Sequence, residues 1–200
     1  MPDGRLRHGF PAATSADLQE VSLPIIRKAD RSDAGQLARL AETTFRDTFG
    51  ALNTGEDMDR HCQASYSEAI QAAEISDPDR VTLLSVEGER LVGFVQLRWD
   101  GAPHCVRAES PGEIQRLYVV HDWHGKGIAH DLMDACIEAM EAHGSDVVWL
   151  GVWERNPRAI SFYKKSGFVE VGDHVFPLGS DPQRDIVMAR SVAGRKTKQP

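Results

Sequence analysis

The amino-acid sequence predicts one α/β domain whose core is a mixed, mainly antiparallel twisted sheet with flanking helices. Three observations carry that reading. Residues 81–86 and 91–99 are rich in β-branched and aromatic side chains and are joined by Glu87-Gly88-Glu89-Arg90, which is hairpin chemistry. A strand at 113–120, a glycine-containing turn, a long helix and the apolar strand 146–152 then follow one another, which predicts a right-handed crossover with parallel pairing. Two more strand patterns, 168–176 and 185–191, close the chain. With 200 residues, 41% of them hydrophobic and 26% charged, the chain has the size and composition of one globular domain.

Residues 1–22 are polar, with Pro2, Gly4, Gly9 and Pro11, and residues 192–200 carry Arg195, Lys196 and Lys198, so both ends are expected to be flexible tails around a domain at 23–191. Residues 23–29 read as a short strand, and Ser32-Asp33 ahead of Ala34, Leu37, Ala38, Leu40 and Ala41 reads as a capped helix. The polar stretch 48–78 has a thin apolar stripe of Met58, Cys62, Ala69, Ile70, Ala73 and Ile75, which predicts one or two further helices. Beyond the hairpin, a loop with Gly101, Pro103, Pro111 and Gly112 leads to the strand 113–120. There Ile114, Leu117, Val119 and Val120 supply a buried face. Ile128, Leu132, Cys136 and Met140 fall on one helical stripe that His143-Gly144 ends. Asn156 can cap the next helix, with Pro157 at its first position and Ala159, Ile160 and Tyr163 on the face of Asn156. Gly167 stops it, and residues 177–184 are expected to be a loop between the last two strands.

Composition also excludes functions. A net charge of −7 from 23 basic and 30 acidic residues argues against nucleic acid or an anionic membrane as the partner. The longest apolar run, 147–153, is far short of the ~20 residues of a membrane helix, and the first twenty residues lack a signal-peptide core, so the cytoplasm is the expected compartment. Cys62, Cys105 and Cys136 are odd in number and widely spaced, which suits reduced thiols. His121, His124 and His130 with Cys136 match no zinc spacing, so no metal is expected. The negative charge is local: residues 41–80 hold nine acids against three arginines. That segment reads either as a solvated helical face or as a field that attracts a cationic ligand.

The chemistry-bearing segment is His121-Asp122-Trp123-His124-Gly125-Lys126-Gly127-Ile128-Ala129, between a strand and the long helix. Glycines at a helix entry let the backbone approach a ligand, and the free N–H groups with the positive end of the helix dipole favour phosphate. A dinucleotide fingerprint would need glycine where this chain has His130, and a Walker A loop would need Ser or Thr where it has Gly127. Neither motif is satisfied, and on its own residues the turn reads either as a phosphate cradle or as a tight connection.

On these residues the chain resembles the GNAT N-acetyltransferase superfamily, from about residue 23 to residue 191. The family's pyrophosphate motif, Gln/Arg-x-x-Gly-x-Gly/Ala, is met by Gly127 and Ala129, with His124 departing at the first position. Its second motif, Asn-x-x-Ala-x-x-Phe/Tyr-Tyr-x-x-x-Gly-Phe, is met throughout by Asn156, Ala159, Phe162, Tyr163, Gly167 and Phe168. The segments EIQRLYV, WLGVWERN and HVFPLGSDPQRDIVM are similar to a bacterial branch that includes PaiA-type spermidine/spermine acetyltransferases. The resemblance implies a GNAT-type sheet that splays between its fourth and fifth strands and admits acetyl-CoA as co-substrate. The implied contacts are the main chain of Leu117, Tyr118, Val119 and Val120, the turn from His124 through Gly125, Lys126, Gly127, Ile128 and Ala129, and the helix residues Asn156, Phe162 and Tyr163. Dimers are common in the superfamily, which leaves a homodimer open.

Acetyl transfer to an amine requires a neutral nucleophile, a place for charge on the carbonyl oxygen and a proton for the departing thiolate. Tyr163 matches the family tyrosine near the thioester sulfur and is the expected acid. Glu113 is the expected base, fourteen residues before Gly127, the spacing at which histone acetyltransferases of the superfamily carry their glutamate; Glu154 is a second carboxylate beside Asn156. The acceptor is expected against the acidic segment 41–80, where a polyamine such as spermidine would suit the charge. The alternatives are an amino acid, antibiotic or protein amine as acceptor, or a non-catalytic acyl-CoA-binding sensor or interaction module.

Overall fold

Local sequence and topology agree over most of the chain. The computed structural model describes residues 23–192, so the expected tails, Val192 apart, lie outside the described residues. Strands β1 (Ile25–Lys28), β2 (Arg80–Glu87), β3 (Arg90–Arg98), β4 (Pro111–Val119), β5 (Val147–Trp153), β6 (Val169–Leu178) and β7 (Asp181–Ser191) form one sheet in the order β1-β2-β3-β4-β5-β7-β6. Every neighbouring pair is antiparallel except β4 and β5, which are joined by the helical crossover and run parallel. The helices are α1 (Ala34–Phe49), α2 (Gly55–Ser65), α3 (Glu68–Ser76), α4 (Ile128–His143) and α5 (Pro157–Lys165). None among the described residues is long and apolar enough to cross a membrane.

The sheet is covered on both faces because its central strands are apolar on both. In β3 every residue from Leu91 to Leu97 is buried. Alternation sends Phe94 into a core with Leu37, Leu40, Ala41 and Phe45 of α1 and Met58 and Cys62 of α2. Val95 and Leu97 enter the opposite core, where Leu132, Cys136 and Met140 of α4 meet Val148, Leu150, Tyr163 and Phe168. The predicted α4 stripe is therefore the buried one, and Gly144 ends the helix in the left-handed region at φ 90°.

Two local expectations need correction. The cap before α1 is Asp30, whose carboxylate accepts from the Ser32 N–H, while Asp33 accepts from the Asp30 N–H and pairs with Arg27 at 2.7 Å. The capping box thus stands one short helical turn earlier than Ser32-Asp33 suggested. The loop expected at 177–184 is mostly strand: β6 and β7 stay in register down to Leu178 and Asp181, around a two-residue turn at Gly179-Ser180. A distant residue holds that turn, since Asp57 of α2 accepts from the Ser180 N–H at 2.7 Å and from its hydroxyl at 3.0 Å. A side chain on Gly179 would meet Asp57 itself.

The feature that makes the site is the short β4–β5 pairing. Only Pro111, Gly112 and Glu113 face Val147, Val148 and Trp149, and beyond them the two strands part. A bulge in β4 lies just past this foot: Leu97 faces Ile114 and Gln96 faces Arg116, so Gln115 is the extra residue. The extra residue bends β4 away from β5 and opens a gap in the middle of the sheet.

Candidate active site

The gap is continued by a cavity of about 370 Å³, walled by β4, β5, α5, the helices α1 and α2, and the β6–β7 hairpin. The backbone supplies its first recognition elements. The Val120 N–H is donated to the Val92 carbonyl of β3 at 3.0 Å, so alternation turns the Tyr118 N–H to the same side and the Leu117 and Val119 N–H groups toward the gap. Of the four main-chain positions expected to hold ligand, two face it and two are directed into the sheet.

The glycine turn has the geometry its sequence implied. Gly125 and Gly127 take φ values of 77° and 93°, a region closed to most side chains, and Gly127 starts α4 with no side-chain cap. Among the described residues, no carbonyl accepts from the N–H groups of Gly125, Gly127, Ile128 or Ala129. Four backbone donors thus stand at the positive end of a 16-residue helix, an arrangement that favours an anion. Lys126 lies over the Trp123 ring, 4.6 Å from its centroid.

His124, the departure from the family motif, has a definite role. Its Nδ1 accepts from the Arg158 guanidinium at 2.9 Å, and its Nε2 therefore carries the proton donated to the Val119 carbonyl at 2.8 Å. Burial holds the ring below the ordinary histidine range, so it is neutral. The neutral ring holds the Arg158 guanidinium of α5 beside the first residue of the turn, the position at which the resembled motif carries an arginine or glutamine. Sequence reasoning missed Arg158, because a partner 34 residues away leaves no local signal. Replacing Arg158 by Gln is expected to raise the KM for acetyl-CoA several-fold and leave kcat within about twofold, in initial-rate measurements at moderate salt.

Asn156 caps α5 by accepting from the Ala159 N–H at 3.1 Å, and it borders the cavity. Tyr163, on the same face, also borders it, packed against Phe162 and Phe168 with ring centroids 5.4 and 5.8 Å away. Burial raises the Tyr163 phenol well above its ordinary value, so it keeps its proton across the physiological range.

The carboxylates are arranged differently from their expected roles. Glu113 borders the cavity, but both its oxygens accept from Arg98, at 2.6 and 3.1 Å. Burial pushes its carboxyl up against the opposing pull of that guanidinium. Glu154 is exposed and tied to Arg184 at 3.1 Å, outside the cavity. The carboxylate missed in the sequence is Asp185 of β7, which faces His174 of β6 in register and lies 3.8 Å from its Nε2. Burial pushes Asp185 up to about 6, with His174 pulling the other way. Gly151 on β5 makes room for the pair, because a Cβ there would stand 2.8 Å from the histidine ring.

The acidic segment is also spent elsewhere. Arg46 joins Glu42 and Asp59, Arg60 joins Glu56, Arg80 joins Glu74 and Asp77, and Asp57 holds the hairpin turn. Residues 41–80 give the cavity Phe45, Phe49, His61, Ser65 and Tyr66 and no acid, so the expected acidic acceptor surface is not there. His61 stacks on Phe45 with centroids 4.3 Å apart, and burial lowers it to about 4. A histidine whose folded value lies below its unfolded one costs stability as pH falls from about 6.5 toward 4, while the unfolded chain takes up a proton that the folded chain refuses. His61→Phe is expected to remove on the order of 1–2 kcal/mol of that acid loss, visible as a smaller Tm difference between pH 7.5 and pH 5. An unchanged pH dependence would mean that the ring protonates in place.

Of the remaining sequence expectations, Trp149 is buried beside Val187 and Ala189, and Trp153 forms cavity wall. The three cysteines are free thiols, and no metal-binding group of histidine, cysteine or carboxylate occurs among the described residues.

Comparison with known proteins agrees with this geometry. The family model described as Acetyltransferase (GNAT) family matches residues 39–168. An uncharacterized N-acetyltransferase of Lactobacillus delbrueckii subsp. lactis is 30% identical over 168 residues, covering 84% of this chain and 96% of that protein. One from Mycobacterium tuberculosis is 32% identical over 162 residues, covering 80% of this chain and 99% of the relative. Among solved structures, the PaiA N-acetyltransferase of Thermoplasma acidophilum in complex with coenzyme A has the same fold, with a TM-score of 0.68 at 23% identity over 84% of this chain and 98% of that one. A sheet parted after three residue pairs, a glycine turn with free donors and the helix from Asn156 to Tyr163 are joined in one chain that belongs to the GNAT acetyltransferase family.

Proposed function

We propose that the protein transfers acetyl from acetyl-CoA directly to the nitrogen of a small amine. The observation that carries this is the order of the elements: Leu117 and Tyr163 border the cavity where β4 and β5 part, and the glycine turn with its unbonded donors follows directly on the end of β4. The residues fit an elongated ligand with phosphates at one end and a carbonyl at the other. The free N–H groups of the turn, with Arg158, would hold the pyrophosphate. The pantetheine arm would lie against β4 in the gap, with Asn156 beside it, and the Leu117 and Val119 N–H groups would meet the acyl oxygen. Phe162, on α5, would flank the arm. Coenzyme A in the Thermoplasma protein of the same fold supports this assignment.

The chain's own residues then divide the work. The ammonium gives one proton to a base, the freed lone pair forms the C–N bond as the C–S bond breaks, the thiolate takes the Tyr163 proton, and the second proton of the nitrogen restores the phenol. Glu113, clamped by Arg98, serves this scheme best as the group that fixes the Arg98 guanidinium at the foot of the gap.

The test is thiol release from acetyl-CoA by the purified protein with spermidine, spermine, amino acids, aminoglycosides and a peptide amine, and calorimetric binding of acetyl-CoA alongside. Amine-dependent release supports the transfer reaction. Tight acetyl-CoA binding with no release for any amine would instead favour a sensor, and absence of acetyl-CoA binding would remove the reading altogether.

A further inference from the structure

We propose that the acceptor is a monoamine with an apolar, ring-sized body, whose nitrogen meets Asp185 and whose body lies against the aromatic wall formed by Phe45, His61, Tyr66 and Phe176. The proposal rests on the acetyl-transfer reading above and names its acceptor. It follows from how the far wall of the cavity is built. Strand β6 sends His174, Phe176 and Leu178 into the cavity at alternate positions, and β7 sends Gln183 and Asp185. Asp185 faces His174 on one side and Trp153 of β5 on the other, so it stands next to the strand that borders the gap.

Charge decides the number of nitrogens. The cavity holds two carboxylates and two guanidiniums. Glu113 is taken by Arg98, and Arg116 is held at 2.7 Å by both Glu74 and Gln96 while it stacks on Tyr66. Asp185 faces His174 on β6 and Trp153 on β5, with Gly151 leaving room beside it; its neighbour Arg184 is directed to Asp173 and Glu154. Asp185 is therefore the lining carboxylate that no guanidinium engages, which leaves one anionic partner for one ammonium. A polyamine finds no partner for its other charges here.

Shape decides the rest. Phe176 is two residues along β6 from His174, roughly 7 Å at strand spacing. Its ring meets His61 edge-on at 5.6 Å, His61 stacks on Phe45, and Tyr66 closes the corner 5.5 Å from both. His61 is uncharged there, so Phe45, His61 and Phe176 give the corner an aromatic lining, with the Arg116 guanidinium over the Tyr66 ring. A nitrogen at Asp185 and a ring in this corner are separated by a short alkyl spacer. Asp185 takes one proton from the ammonium, the freed lone pair bonds to the acyl carbon as the C–S bond breaks, Tyr163 protonates the thiolate, and the second proton of the nitrogen restores the Tyr163 phenol.

The experiment compares phenethylamine with spermidine in thiol release from acetyl-CoA and in calorimetric binding to the free protein, for wild type, Asp185→Asn, Phe176→Ala and Phe176→Leu. Melting temperatures confirm folding, and the leucine variant serves if the alanine variant does not fold. The expected result is a kcat/KM at least tenfold higher for phenethylamine than for spermidine. Phe176→Ala should raise the KM for phenethylamine roughly tenfold with the KM for acetyl-CoA within twofold. Asp185→Asn should lower kcat roughly a hundredfold at pH 7 and much less at pH 9.5, where more of the amine is already neutral. A preference for spermidine would overturn the acceptor class and leave acetyl transfer standing. If acetyl-CoA does not bind, transfer falls, and phenethylamine affinity that is equal in wild type and variants, or undetectable, overturns this proposal separately.

Discussion

Tyr163→Phe is expected to lower kcat about a hundredfold, the lower end of what positioned proton transfer contributes, while the dissociation constant for acetyl-CoA changes less than about threefold. The split between the two numbers is the informative part. Tyr163 is buried in the core with Met140, Phe168 and Val152, and its ring packs edge to face with two phenylalanines. Phenylalanine keeps that packing and removes only the hydroxyl, so a structural role would leave kcat in place. Because burial raises the phenol well above its ordinary value, no alkaline loss of activity should come from Tyr163 itself below about pH 10. Initial rates from pH 6 to pH 9.5 check both statements, and an unchanged kcat in the variant would take the proton-donor role away from this residue.

Gly112→Ala is expected to cost roughly 3 kcal/mol, a Tm lower by ~6–12 °C in thermal unfolding. Gly112 is the middle of the three β4 residues that pair with β5. A Cβ there would come within 2.3 Å of Met140 Sδ, 2.9 Å of Trp99 Nε1 and 3.0 Å of Ser145 Oγ. These atoms are already engaged with one another, since the Trp99 indole N–H donates to Ser145 at 2.8 Å and its ring stacks on His143 with centroids 4.0 Å apart. Met140 is fully buried and cannot swing outward. Gly55→Ala, at the open start of α2 where nothing lies within 4 Å of the added methyl, is the control and should be nearly neutral. A Gly112 variant as stable as that control would mean that the foot of the sheet repacks freely.

How much of this could be read in the sequence depended on the range of the forces involved. The hairpin at Gly88, the α4 stripe from Ile128 to Met140 and the Asn156 cap are set by neighbours within a turn or two, and each stands where its pattern put it. The β6–β7 hairpin misled because Pro177, Gly179, Pro182 and a run of polar residues resemble a loop. Its extension is imposed by Asp57, more than a hundred residues earlier. The acidic segment misled for a related reason: a count of charges does not say which are paired, and Arg46, Arg60, Arg80 and Arg116 neutralise acids that a tally leaves free. Asp185 was passed over because nothing in its own strand marks it. Its burial depends on the missing side chain of Gly151 and on His174 across the hairpin. The positive-φ glycines and free donors of the turn follow from its own residues, whereas Arg158 reaches His124 from another helix.

The three residue pairs that join β4 to β5 also set how the molecule carries mechanical load. The sheet is two stiff leaves, β1 to β4 and β5 to β7, fastened at one end by Pro111, Gly112 and Glu113 and bridged by α4. Acetyl-CoA bound along the slot as proposed would bridge the two leaves where β4 and β5 do not pair, and is expected to resist their opening. Hydrogen exchange should register this far from the ligand: amides on both sides of the slot, from Leu117 to Val119 and from Leu150 to Val152, should slow together when acetyl-CoA is added. Those on the outer edge at β1 should not.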